Sequence, residues 1–355
     1  MEATNSSWQN LRHHHLFWPV VALLMIMLFN LIFMPGFFKL EIKDGHLFGS
    51  MVDVLNRGAP LMLLAIGMTM VIATAGVDLS VGAVIAITAA SAAVLINPAL
   101  GRELVTSDKL IENVTQTPLW LVILIAIVAG MLCGVWNGLL VSRLKIQPMV
   151  ATLVLMVAGR GIAQLITNGQ IITIYYSPYF YLGGGYLLGL PFTLFIVAAM
   201  FFLAWFLTRK TAIGLFVEAV GTNASSSFYS GINEKNIKLL AYTFCGLCAG
   251  IAGLIISSNV KSADANNAGL WSELDAILAV VIGGTLMSGG RFSLVGSLLG
   301  ALVIQSMTTT IYAFGVPPEV VLVVKALVVL AVVLLYSDLV KISIDNLFER
   351  KAVRQ

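Results

Sequence analysis

Ten runs of apolar residues separated by polar stretches set the plan of this chain, at about 16–34, 56–75, 80–97, 118–141, 148–168, 191–208, 239–259, 275–288, 294–313 and 320–337. A bilayer core about 30 Å thick takes roughly 20 apolar residues of α-helix. Within that core only helices and closed barrels satisfy every backbone N–H and C=O. The pattern therefore predicts an all-α, polytopic integral membrane protein with about ten transmembrane helices. Some of these are interrupted. Runs two and three are parted only by Ala75-Gly-Val-Asp-Leu79, and runs eight and nine by Ser288-Gly-Gly-Arg-Phe292. The two breaks echo each other faintly, Ile66-Gly-Met-Thr69 with Leu79-Ser-Val-Gly82 against Ile282-Gly-Gly-Thr285 with Ser293-Leu-Val-Gly296. Transporters built from repeats carry broken helices of this kind near the midplane.

Polar stretches at the two ends and between the runs divide the chain further. Residues 1–15 and 341–355 are expected to be cytoplasmic tails around a membrane domain at 16–340. The first run follows Arg12 without a small-residue cleavage site, so it reads as a first membrane helix and not as a cleaved leader. Lys and Arg gather on cytoplasmic loops. With the N-terminus inside, twelve of them fall inside, including Arg143, Lys145, Arg209, Lys210, Lys235, Lys238 and Arg291, against six outside, including Lys39, Arg57 and Lys261. That places both termini in the cytoplasm. The longest inside segment, 209–238, is broken at Gly221 and Gly231 and suits a face at the membrane surface that meets a cytoplasmic partner. The outer stretch 169–190 is aromatic, with Tyr175, Tyr176, Tyr179, Phe180, Tyr181 and Tyr186, and reads as an interfacial belt.

Composition supports lipid as the main solvent: 59% hydrophobic and 10% charged, with a mean hydropathy of +0.96. Soluble domains carry about 25% charged residues. A net charge of +3 gives no reason to expect nucleic acid as a partner. Cys245 and Cys248 form a C-x-x-C, but no second pair and no nearby histidine accompany them, so they read as small residues at a helix contact. The run His13-His-His15 reads as an incidental feature of the tail, and no metal site is expected.

Polar groups inside a membrane are costly and need a partner or a cavity. Asp78, between two apolar runs, is either part of a pathway or the N-cap of the third helix. Arg160 sits about 18 Å into the fifth helix and reads as one half of a structural ion pair. Lys325, six residues into the last run, can snorkel or pair with Glu319. Trp136, Asn137, Gln147, Thr152, Gln164 and Asn168 on runs four and five suit a neutral ligand rich in hydroxyls. No phosphate-binding loop, zinc-protease motif, nucleophile elbow or dinucleotide fingerprint occurs. Energy for uphill transport would have to come from another subunit.

Four stretches resemble the sugar-importing ABC permeases of the ribose, xylose, galactose and autoinducer-2 branch, over about residues 16–340. They are Leu64-Ala-Ile-Gly-Met-Thr69 with Gly76-Val-Asp-Leu-Ser-Val-Gly82, Trp136-Asn-Gly with Lys145-Ile-Gln-Pro-Met-Val-Ala-Thr-Leu153 and Gly159-Arg-Gly161, Glu218-Ala-Val-Gly-Thr-Asn-Ala224 with Ser230-Gly-Ile232, and Glu273-Leu-Asp-Ala-Ile277 with Ile282-Gly-Gly-Thr285 and Ser288-Gly-Gly290. Within the branch, Asn56-Arg-Gly-Ala-Pro60 and Ile166-Thr-Asn-Gly-Gln-Ile-Ile-Thr173 look most like galactofuranose permeases that pair with a second, non-identical permease. The resemblance implies a non-catalytic subunit in the bacterial inner membrane and no cofactor in this chain. Its partners would be a second permease, a cytoplasmic ATPase holding ATP and Mg, and a periplasmic sugar-binding protein. For ATPase coupling the resemblance marks Glu218, Gly221, Asn223, Ala224, Ser230 and Gly231. The candidates for the substrate pathway are Asn56, Thr69, Asp78, Ser80, Trp136, Asn137, Thr152 and Asn168. Ser225, Ser226 and Ser227 depart from the pattern, where relatives more often have Ala and Arg. The rival expectations are an ion-coupled secondary transporter, which the broken helices would suit, and an intramembrane enzyme using Asp78 and Asp275.

Overall fold

The computed structural model describes residues 16–43, 45–97, 117–317, 320–327 and 330; both predicted tails lie outside the described residues. The membrane helices are α1 (Phe17–Phe33), α2 (Ser50–Ala73), α3 (Val81–Ile96), α4 (Leu119–Ser142), α5 (Pro148–Ile166), α7 (Phe192–Arg209), α10 (Glu234–Val260), α11 (Ser272–Ile282) and α12 (Leu294–Ala313), and residues 320–327 are helical. Each of the ten apolar runs thus has a helical counterpart. Three shorter helices lie between them, α6 (Ser177–Gly184), α8 (Ile213–Thr222) and α9 (Ala224–Tyr229). Among the described residues six helices are long and apolar enough to cross a membrane: α2, α4, α5, α7, α10 and α12.

Several helices begin well before the apolar pattern does. α2 starts at Ser50, and Asp53 and Arg57, four residues apart, pair at 3.0 Å on its exposed first turns. α10 starts at Glu234, where the Asn233 side chain accepts from the Asn236 N–H and caps the helix. Hydropathy alone registers only the lipid-embedded middle of such helices. α11 has just eleven residues, about 16 Å of helix, so it crosses only half a bilayer.

Three two-stranded pairings lie at one end: β1 (Glu41–Lys43) with β2 (His46–Phe48), β3 (Ile172–Thr173) with β6 (Ser262–Ala263), and β4 (Tyr186–Leu187) with β5 (Leu190–Pro191). This is the hairpin end. At the opposite end lie Arg143, Lys145, Arg209, Lys210, Lys235 and Lys238, with Arg143 donating to the Asn236 side chain at 3.0 Å. This is the basic end.

The core centres on α2 and α10. α4 and α10 pack backbone to backbone: a methyl group at Gly134 would overlap the Tyr242 carbonyl, and one at Gly246 the Gly130 carbonyl. Cys245 and Cys248 are free and buried, with Gly67 of α2 against them. The pair thus occupies a helix contact, as its small side chains predict. Tyr179 of the aromatic stretch is also buried, its hydroxyl 2.6 Å from Ser257. Tyr175 and Tyr181 are exposed.

Candidate functional site

The break between α2 and α3 builds a buried polar joint. Asp78 Oδ1 accepts from the Ser80 N–H at 2.9 Å, the Ser80 hydroxyl at 2.7 Å and the Asn137 amide of α4 at 3.3 Å. Asn137 also donates to Ser80 Oγ at 2.8 Å. One turn-forming bond to the residue two positions on, plus a bond across to α4, fixes the start of α3. Tyr242 of α10 donates to the Val77 carbonyl at 3.2 Å, while Thr152 donates to Pro148 within α5 and lies 3.5 Å from Val77 O. Asp78, Ser80, Asn137 and Thr152 are therefore one cluster, with none of them more than 2% exposed.

Removing the acceptor leaves the Ser80 N–H without its partner and takes one partner each from the Ser80 hydroxyl and the Asn137 amide. Asp78→Ala is expected to destabilise the folded chain by about 2–3 kcal/mol. Asp78→Asn keeps an acceptor oxygen and is expected to cost less than half of that. Asp78 is not the N-cap itself, which is Ser80; thermal unfolding of the purified protein in detergent checks both variants, and equal melting temperatures would contradict a structural role for the joint.

The remaining pathway candidates are dispersed. Thr69 is buried in α2 and donates to Ser297 of α12 at 2.7 Å. Asn56 lies at the hairpin end, accepts from Thr193 at 2.6 Å, and lines a cavity of about 210 Å³ with Asp53, Ser50 and Tyr186. Trp136, 54% exposed, points away from its buried neighbour Asn137. Asn168 is exposed just beyond α5.

The coupling candidates form a compact seat at the basic end. α8 and α9 meet at Asn223, whose side chain caps α9 by accepting from the Ser226 N–H at 3.0 Å. Gly221 lies against the Ala73 carbonyl and the Gly290 nitrogen, and Gly290 N–H donates to that same carbonyl at 2.9 Å. One point thus joins α8, the end of α2 and the loop between α11 and α12. Glu218 and Ala224 are half-buried, while Ser230 and Gly231 are exposed. Beside the seat, Arg143, Lys145, Lys235, Phe228, Tyr229 and Ile232 help to line an open cavity of about 590 Å³. Phe228 and Tyr229 are 63% and 88% exposed.

The polar residues within the membrane helices have partners that differ from expectation. Arg160 donates to the Ala265 and Ala268 carbonyls at 3.2 and 2.6 Å, with Glu273 and Asp264 as the acidic charges that act on it. Lys325 pairs with Asp275 of α11; Glu319 lies outside the described residues. Glu273, at the start of α11, is 2% exposed and lies against Gly82. Asp264, Asn266, Asn267 and Trp271 also emerge as a group, through the segment between α10 and α11. Their signal in the sequence was the shortness of the helix that follows. A half-length helix obliges the chain before it to enter the membrane. Among the described residues no three His, Cys, Asp or Glu side chains converge as a metal site.

Comparison with known proteins accords with this architecture. The family described as "Branched-chain amino acid transport system / permease component" matches residues 50–333. The galactofuranose transporter permease protein YtfT of Escherichia coli (strain K12) is 51% identical, over 90% of this chain and 91% of its own length. The fructose import permease protein FruF of Bifidobacterium longum (strain NCC 2705) is 35% identical, over 99% and 95%. The ribose import permease protein RbsC of Haemophilus influenzae (strain ATCC 51907 / DSM 11121 / KW20 / Rd) is 34% identical, over 88% and 90%. No solved structure matches the chain. With helices suited to a membrane and relatives matched along nearly their whole length, the chain belongs to the ABC importer permease family, in its sugar-permease group.

Proposed function

We propose that this chain is one of two membrane subunits of an ATP-driven importer that carries a neutral monosaccharide from periplasm to cytoplasm. Galactofuranose is the first sugar to try, since the relative that is 51% identical is a galactofuranose permease. On this reading the protein lies in a bacterial inner membrane with both tails in the cytoplasm, and the gathering of Lys and Arg at one end supports that orientation. A second, non-identical permease completes the pathway, and a periplasmic binding protein delivers the sugar. The chain itself is non-catalytic; a separate ATPase holds ATP and Mg.

The observation that carries the reading is the seat at Gly221. A partner pressing on α8 and α9 bears directly on the end of α2 and on the loop before α12, the two places where the helices break. The adjoining cavity presents Phe228 and Tyr229 to the cytoplasm. Aromatic side chains of this kind supply most of the energy of an interface. Replacing both by alanine is expected to weaken ATPase retention by about 2 kcal/mol, roughly thirtyfold, in a detergent pull-down. Undiminished retention would put the ATPase elsewhere.

The reading as a whole is tested by affinity purification from native membranes in mild detergent, followed by reconstitution. ATPase and a second permease should co-purify, and sugar uptake should require ATP. Uptake by this chain alone, or uptake that collapses with an ion gradient at constant ATP, would move the protein to the ion-coupled class.

A further inference from the structure

The segment 261–271 is not a surface loop. Ser262 and Ala263 pair with Thr173 and Ile172, and the chain then runs inward along α3. Ala265 packs with Ala86, Ile87 and Ala163, and Gly269 lies against Ile85 and Gly82. Gly82 is fourteen residues from Ile96, the hairpin-end terminus of α3, which is about 21 Å along the helix. The segment therefore reaches the middle of a bilayer before α11 continues towards the basic end.

Non-helical backbone at that depth persists only where protein buries it or water reaches it. Here Asn266, Asn267 and Trp271 are exposed, as is Gln164 of α5. Gln164 donates to Asn266 at 2.5 Å. Asp264 shapes the turn, accepting from the Asn266 and Asn267 N–H groups at 2.8 and 3.2 Å and from the Asn267 amide at 2.7 Å. Arg160 pins its far side through the Ala265 and Ala268 carbonyls. Lipid cannot cover such a surface without a cost of several kcal/mol for each unsatisfied polar group. Water and a second subunit can.

We propose that this re-entrant segment is the wall of the sugar pathway, closed on its open side by the second permease. Asn266, Asn267 and Gln164 meet sugar hydroxyls, and the Trp271 ring meets the apolar C–H face of the sugar. Amides both donate and accept, as hydroxyls do, and a few placed polar groups beside an aromatic ring suit a small neutral ligand. Arg160 and Asp264 are positioning residues that hold the segment in shape. The assignment rests on the permease reading above.

The test is access to water in the assembled, ATP-competent importer. Cysteine is placed at Asn267 and, as a lipid-facing control, at Leu24 of α1, which is 61% exposed. The probe is a charged, membrane-impermeant methanethiosulfonate, with the background from Cys133, Cys245 and Cys248 measured on the unaltered chain. The thiolate is the reacting form and is scarce in lipid, so Asn267→Cys is expected to react about a hundredfold faster than Leu24→Cys. Equally slow reaction at both positions, in assembled complexes that retain the ATPase while the unaltered complex takes up sugar with ATP, overturns the pathway wall and leaves the permease reading intact. An unaltered complex with no ATP-dependent uptake overturns the permease reading instead. Trp271→Ala is expected to cut maximal uptake about tenfold with the ATPase still bound; unchanged uptake removes the ring from the pathway.

Discussion

Gly221→Ala is expected to abolish sugar-stimulated ATP hydrolysis and uptake while Gly231→Ala leaves both within about twofold, although both glycines belong to the same segment. The difference lies in what surrounds them. A methyl group at Gly221 would overlap the Ala73 carbonyl and come within 2.5 Å of the Gly290 nitrogen. These are backbone atoms held by the Gly290–Ala73 hydrogen bond, so no side-chain rotation relieves the clash. α8 must lift from its seat, and the joint among three elements opens. Overpacking of this kind costs about 1–3 kcal/mol where neighbours can shift, and more where only backbone is available to move. Gly231 has a positive φ of 84° with open space around it. Alanine there pays only for the left-handed backbone, about 1 kcal/mol. Paired ATPase and uptake assays on the reconstituted complexes separate the two cases. Normal coupling in Gly221→Ala would mean that α8 does not transmit force through Ala73.

Lys325→Met is the second large effect. Lys325 and Asp275 pair with side chains 14% and 24% exposed, joining the last helical stretch to the first turn of α11. Breaking one side of a buried pair leaves the other charge uncompensated and costs about 3–5 kcal/mol, whereas removing both can be nearly neutral. The single variant is therefore expected to lose much of its folded yield in detergent. The double variant Lys325→Met with Asp275→Leu should recover most of it. Failure of the double variant to recover would show that the pair contributes something other than charge neutralisation, such as a fixed angle between the two helices.

The sequence made the membrane helices legible because lipid imposes a length and a polarity on each of them. Asp78 and Asn137 were both conspicuous as polar groups in apolar surroundings, though nothing in the sequence linked them. Their shared bond to Ser80 arises only when α4 packs on the break between α2 and α3. Lys325 was conspicuous in the same way, but its partner lies fifty residues back in the chain. Pairings across such distances depend on tertiary packing and leave no local pattern. The segment 261–271 was hardest to recognise, since its polar run looks like an ordinary outer loop. Only the shortness of α11 distinguishes a loop that enters the membrane from one that stays above it. The seat at Gly221 was marked by motif, yet its physical reason, contact with two backbones, needed the packed structure.

α10 runs unbroken from Glu234 to Val260, 27 residues or about 40 Å. Four residues separate its start from the end of α9, and it ends where the re-entrant segment starts. Towards α4 it packs backbone to backbone where Gly246 and Gly250 face Gly130 and Gly134. On the permease reading, this one continuous helix would carry a displacement from the basic end to the segment that holds Asn266, Asn267 and Trp271.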